Sequence, residues 1–120
     1  MPFSALNPQS AIAAPRFALV CLGTETGYTI NFSYRWGRDR WTSASVAPGK
    51  WKMFTYNYKT PGVNQSPTLS VRYDDNTTDR SNFVVTDLDA YAASIKDCEE
   101  EGKTYNFYQR DTELYIQEED

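Results

Sequence analysis

At 120 residues the chain suits one domain around one shared core, with folding removing roughly two-thirds of the unfolded surface from water. It has no histidine, which excludes Ser-His-Asp and Cys-His nucleophilic sets, most zinc sites and the commonest general base. A net charge of −4 points away from nucleic acid as a partner, and no segment reaches the roughly 20 apolar residues of a membrane-spanning helix.

Residues 1 to 15, MPFSALNPQSAIAAP, carry three prolines and no sustained periodicity, and read as an irregular arm ahead of a single domain, 16 to 120. They do not read as a signal peptide, because a basic n-region is missing and AIAA falls far short of an apolar h-region. RFALVCL (16–22) is a nearly continuous apolar run, as in a buried strand, and GTETG turns the chain into the next element. From Tyr28 to Trp36 every second residue is large and apolar: Tyr28, Ile30, Phe32, Tyr34 and Trp36 share one face, and Thr29, Asn31, Ser33 and Arg35 the other. A period of two of this kind marks a half-buried antiparallel strand. GRDR is a turn, after which Trp41 is expected to open the next strand opposite Trp36.

APGK (47–50) has Pro and Gly at the positions a type II turn requires, and joins RWTSASV to WKMFTYNY. The latter has large residues on both faces, with Phe54, Tyr56 and Tyr58 on one. TLSVRY alternates again, with Leu69, Val71 and Tyr73 inward, DDNTTD its turn and SNFVV its partner. Leu88, Tyr91, Ala92 and Ile95 then fall at i, i+3, i+4 and i+7, which predicts one short helix near 88–95 with Asp87 as its N-cap. CEEEGK is a charged turn, and KTYNFYQ with TELYIQ closes a hairpin around RD before an acidic tail. Strands at this spacing predict an all-β antiparallel β-sandwich, Ig-like or related, of about seven to eight short strands, with a small barrel as the alternative.

Cys21 lies in an apolar strand and Cys98 before a charged turn. They are a disulfide candidate, and a loop of about 77 residues closed this way contributes roughly 4 kcal/mol. The alternative is two free thiols, with Cys21 a small core hydrophobe. Up to residue 73 there are eight basic and two acidic side chains, and beyond it four basic and fourteen acidic. Such opposite halves either interleave as solvated faces or meet between copies of the chain.

RWGRDRW followed by GKWK sets Trp36, Trp41 and Trp51 among Arg38, Arg40 and neighbouring cations, with Tyr56 and Tyr58 as a further aromatic row. Exposed rings of this kind form a platform for sugar rings or anchor a protein interface; buried ones fill the core. The oxygens of Asp74, Asp75 and Asp79 are a calcium candidate, without the Gly and terminal Glu of an EF-hand loop. Paired carboxylates across a sugar cleft would hydrolyse glycosides, but Asp is foremost a turn and capping residue. No Walker loop, dinucleotide fingerprint or Gly-x-Ser-x-Gly occurs.

The succession VCLGTETGYTINFSYRWG, RW, APGKW, SVRYDDN, and GKTYNFY with LYI resembles small, uncharacterised β-sandwich modules of exported bacterial proteins, over about residues 18 to 116. Leu22 stands where that resemblance leads one to expect Asn. The resemblance implies export, hence an extracellular or cell-surface setting, and a non-catalytic accessory role. The expected function is a non-enzymatic protein-binding or self-assembly module, without cofactor, whose partner is a protein surface or further copies of itself. The alternative is a carbohydrate-binding module using the aromatic platform.

Overall fold

A computed structural model describes residues 14–119. Among these residues nine strands form two sheets: β1 Phe17–Thr24, β2 Ile30–Trp36, β3 Thr42–Val46, β4 Lys52–Asn57, β5 Leu69–Asp74, β6 Phe83–Leu88, β7 Tyr91–Ala93, β8 Lys103–Arg110 and β9 Glu113–Glu118. The first sheet runs β4-β1-β8-β9, with β7 also on β1, and the second runs β3-β2-β5-β6. Every pairing is antiparallel except β1 with β8. The fold is an all-β sandwich. Among the described residues there is no helix, so none is long and apolar enough to cross a membrane.

Alternation accounts for the second sheet. Ile30, Phe32 and Trp36 of β2, Leu69, Val71 and Tyr73 of β5, and Leu88 of β6 are buried on its inner face. The first sheet answers with Ala18, Val20, Leu22, Phe54, Tyr105 and Phe107. Aromatic contacts bridge the layers: Phe32 meets Phe54 and Phe107 at ring-centroid distances of 6.1 and 5.8 Å, Tyr73 meets Phe107 edge-on at 5.2 Å, and Trp36 meets Tyr56 at 5.6 Å. Edge-to-face and tilted pairs in this range add to area burial, because ring edges carry the positive end of the quadrupole.

β1 does not alternate because both of its faces are covered. Ala18, Val20 and Leu22 face the second sheet, whereas Phe17, Leu19 and Cys21 pack outward with Ala93 under the connection that follows β7. The Cys21–Cys98 disulfide fastens that connection, with Cα atoms 5.9 Å apart.

Several sequence expectations are corrected. The short helix predicted near 88–95 is absent: Leu88 ends β6, and 91–93 is β7, bringing the strand count to nine. Leu88 is buried while Tyr91 is half-exposed, so residues with helical spacing do not share a face. Pairing of β7 with β1 (Phe17↔Ala93, Leu19↔Tyr91) satisfies the backbone there, and a strand that short gains more from a sheet than from an isolated turn of helix. Trp41 precedes β3 rather than opening it, and the register Tyr34↔Thr42 leaves it beyond the paired residues. Gly23 and Thr24 belong to β1, so the GTETG stretch carries the chain from the first sheet to the second. The APGK turn does form: Gly49 has φ 77° and the Lys50 N–H donates to the Ala47 carbonyl at 3.1 Å, and it too leads between sheets. Of the predicted arm, residues 1–13 lie outside the described residues; Ala14 and Pro15 are exposed and irregular.

Candidate functional site

The three tryptophans do not form one platform. Trp36 is buried against Tyr56, and its inward position follows from the parity of β2. Trp41 lies on the outer face of the second sheet, where the guanidinium carbons of Arg35 and Arg72 sit 4.4 and 4.5 Å from its ring centroid. Such cation–π contacts hold the ring against two arginine stems. The Arg35 Nε is buried there without a partner among the described residues. Trp51 stands on the outer face of the first sheet and is 45 % exposed.

Arg38 and Arg40 are exposed in the β2–β3 turn, and the guanidiniums stacked on Trp41 are those of Arg35 and Arg72 instead. Tyr56 is directed into the core boundary, and Tyr58 packs partly against the same cluster, where burial raises its hydroxyl pKa. The predicted aromatic and basic set is thus divided among the core and two opposite faces.

The predicted calcium loop is held by its own side chains. Asp74 Oδ1 accepts the Asn76 and Asn82 N–H groups at 3.0 and 2.9 Å, and Asp75 Oδ1 accepts the Asn82 side-chain amide at 2.7 Å. Asp79 lies in an exposed bend. Among the described residues no three acidic or sulfur ligands converge for a metal ion. The loop instead docks on the start of β9, where Leu114 N–H donates to the Asp75 carbonyl at 2.8 Å and Thr77 N–H to the Thr112 carbonyl at 2.9 Å.

Two surface features stand apart from the packed interior. One is strand β6, at the edge of the second sheet, where Phe83 and Val85 point outward and are 66 % and 52 % exposed. Phe83 flanks a shallow hollow of about 470 Å³ whose lining includes Ser33, Ser43 and Arg72. The other edges differ in kind: β3 is TSASV, β4 begins with Lys52, and β9 carries Glu113 and Glu118. Polar or charged side chains on an edge discourage further strand pairing, and β6 has no charge before Asp87.

The second feature is a hollow of about 450 Å³ on the outer face of the first sheet, between Trp51 and Tyr91. Gly23 makes it possible: a β-carbon there would come within 2.5 Å of Asn106 Oδ1 and 3.2 Å of the Trp51 ring. The rim is acidic. Glu118 is held by Lys103 at 3.3 Å, and the Glu119 carboxylate accepts the Tyr108 hydroxyl at 2.6 Å, which pushes the Tyr108 pKa up to about 12. Lys103 Nζ in turn lies 4.8 Å from the Tyr91 ring centroid, and its ion pair with Glu118 raises its own pKa.

Sequence reasoning reached Trp51 but not Gly23, Tyr91 or Asn106. The available signal was Gly23 itself, since a glycine that continues an apolar strand marks close approach of a neighbouring group. A larger hollow, about 870 Å³, lies elsewhere, between the loop after β4 and the β6–β7 turn, and includes Tyr56, Lys59, Pro67 and Asp89. Comparison with protein-family models, with curated proteins and with solved structures finds no match to the chain.

Proposed function

We propose that the protein is a non-enzymatic association module that pairs with a second copy of itself through β6. The observation that carries this reading is the apolar, uncharged outer half of that edge strand, with Phe83 and Val85 exposed on it. An edge strand offers a row of unpaired N–H and C=O groups, and a partner strand satisfies them while covering apolar side chains. Antiparallel β6–β6 pairing centred on Val84 is self-complementary: it sets Phe83 of one copy beside Val85 of the other, twice, in one continuous apolar row. A two-fold contact of this kind closes on itself and yields a dimer.

A non-catalytic role is supported by the lack of histidine and by carboxylates already engaged, as with Glu118 on Lys103 and Glu119 on Tyr108. The disulfide supports an oxidising, extracellular or cell-surface setting, where such bonds persist.

The test is sedimentation velocity across a concentration series. The wild-type chain is expected to dimerise, and Val85→Lys to remain monomeric with an unchanged circular dichroism spectrum. A chain removed of residues 1–15 is expected to dimerise as well; loss of association on that truncation would assign the edge to that segment. A wild-type monomer at high concentration would refute the reading.

A further inference from the structure

We infer that the hollow between Trp51 and Tyr91 is a binding site for a neutral oligosaccharide. It lies on the opposite face of the sandwich from β6 and stands independently of self-association.

The strand register builds it. Gly23 of β1 pairs with Asn106 of β8, and Trp51 immediately precedes Lys52, the partner of Leu22, so Trp51, Gly23 and Asn106 form one row across the outer face. Thr104 lies beside Cys21 in the next row, and Tyr91 pairs with Leu19 in the row after that. The disulfide covers Cys21, so Cys98 forms part of the wall.

Asn106 is the telling residue. The residue is only 7 % exposed and lines the hollow, and a β-carbon on Gly23 would lie 2.5 Å from its Oδ1, so the amide sits against the Gly23 backbone. An amide on the floor of the hollow offers both a donor and an acceptor. Beside it the Trp51 ring lies against the Gly23 position and is 45 % exposed. A pyranose matches this pair of features: its C–H face stacks on an aromatic ring, and its hydroxyls both donate and accept. Thr104 and the rim carboxylates extend the same hydrogen-bonding chemistry.

Charge and spacing narrow the ligand. Glu99, Glu118 and Glu119 line the hollow and outnumber Lys103, which pairs with Glu118 and lies over the Tyr91 ring, a negative balance that disfavours acidic sugars and phosphates. Trp51 and Tyr91 belong to rows four residues apart along β1, roughly 13 Å at about 3.3 Å per residue. Rings so separated do not enclose one ammonium group as an aromatic cage does. They address successive units of a chain of sugars.

The experiment is titration of the whole chain, by tryptophan fluorescence and calorimetry, with neutral tetrasaccharides of glucan, mannan, xylan, galactan and N-acetylglucosamine type, and with tetragalacturonate as the acidic control. At least one neutral tetrasaccharide is expected to bind in the millimolar range or tighter, and tetragalacturonate not to bind. Trp51→Ala should weaken binding roughly tenfold or more, as loss of a central aromatic contact does. Asn106→Leu and Gly23→Ala should weaken it too, the latter by displacing both neighbours. Trp41→Ala, on the other face, should leave it unchanged. Trp51 is exposed, so its removal does not threaten folding, and a matched thermal melt verifies this. Binding by none of the neutral panel, preference for the acidic control, or insensitivity to Trp51→Ala would each overturn the proposal.

Discussion

The Tyr105 hydroxyl makes two hydrogen bonds to one residue: it accepts from the Asp89 N–H and donates to the Asp89 carbonyl, each at 3.0 Å. Asp89 lies between β6 of the second sheet and β7 of the first, so a core tyrosine fixes the point where the chain changes layers. Burial raises the hydroxyl pKa, so the group remains a donor at neutral pH. Tyr105→Phe leaves the turn unsatisfied and is expected to cost about 1–3 kcal/mol. A urea melt with an unaltered slope and a lower midpoint would show this; an unmoved midpoint would show that the turn holds without the hydroxyl.

Reduction or Cys98→Ala should remove about 4 kcal/mol, because the bond spans 77 residues and restricts the unfolded chain. Gly102 reports on the same region, since a β-carbon there would lie 2.9 Å from Cys21 Sγ and from Cys98 Cα. Gly102→Ala should therefore slow oxidative closure. Denaturant melts with and without reductant, and thiol titration during refolding, measure the two effects.

Glu101 holds the connection between β7 and β8. One of its oxygens accepts the Ser94 N–H at 2.8 Å, the Ser94 hydroxyl at 3.0 Å and the Ile95 N–H at 2.9 Å, and these backbone bonds lower its pKa below the usual 4.5. A carboxylate with a depressed folded pKa contributes stability that is complete above its unfolded value and fades as pH falls through the folded one. Wild type should thus exceed Glu101→Ala in melting temperature at pH 7, and the gap should close on acidification from about pH 5 downward. A gap independent of pH would mean that the side chain acts by packing.

Tyr108 donates to the Glu119 carboxylate, and loss of the phenolic proton beside that charge is opposed, so it titrates at about 12. Absorbance titration of the phenolates should place one tyrosine at the alkaline end of the set. Glu119→Gln should bring that transition back toward the ordinary range near 10. An unchanged titration curve would count against the pairing.

Alternation made β2 and β5 legible because each has one face in the core and one outside, so Phe32, Trp36, Leu69 and Val71 reveal their direction by parity alone. β1 shows no alternation because disulfide-fastened chain covers its outer side, and its run of apolar residues is the signature of that double covering. The helix expected at 88–95 arose from the chance spacing of Leu88, Tyr91, Ala92 and Ile95, residues that belong to a strand end, a second strand and a loop. Period-counting cannot see a hydroxyl from residue 105 that holds residue 89 in a turn. The tryptophans were separated for a related reason. Trp36 follows the parity of β2, but the face Trp51 takes depends on the β3–β4 connection that passes between sheets, and nothing local to GKWK encodes that crossing. Asn106 and Gly23 become neighbours only through the parallel pairing of β1 with β8.

That parallel pairing also sets the order of events during synthesis. β1 precedes the other described strands, yet beyond Leu19 the partner on its β8 side begins at Lys103, on the order of ten seconds later at a usual elongation rate. Until then FALVCLGT is a greasy ribbon with one flank open. That flank closes only when β7 and β8 have been made, so this side of the first sheet is completed late.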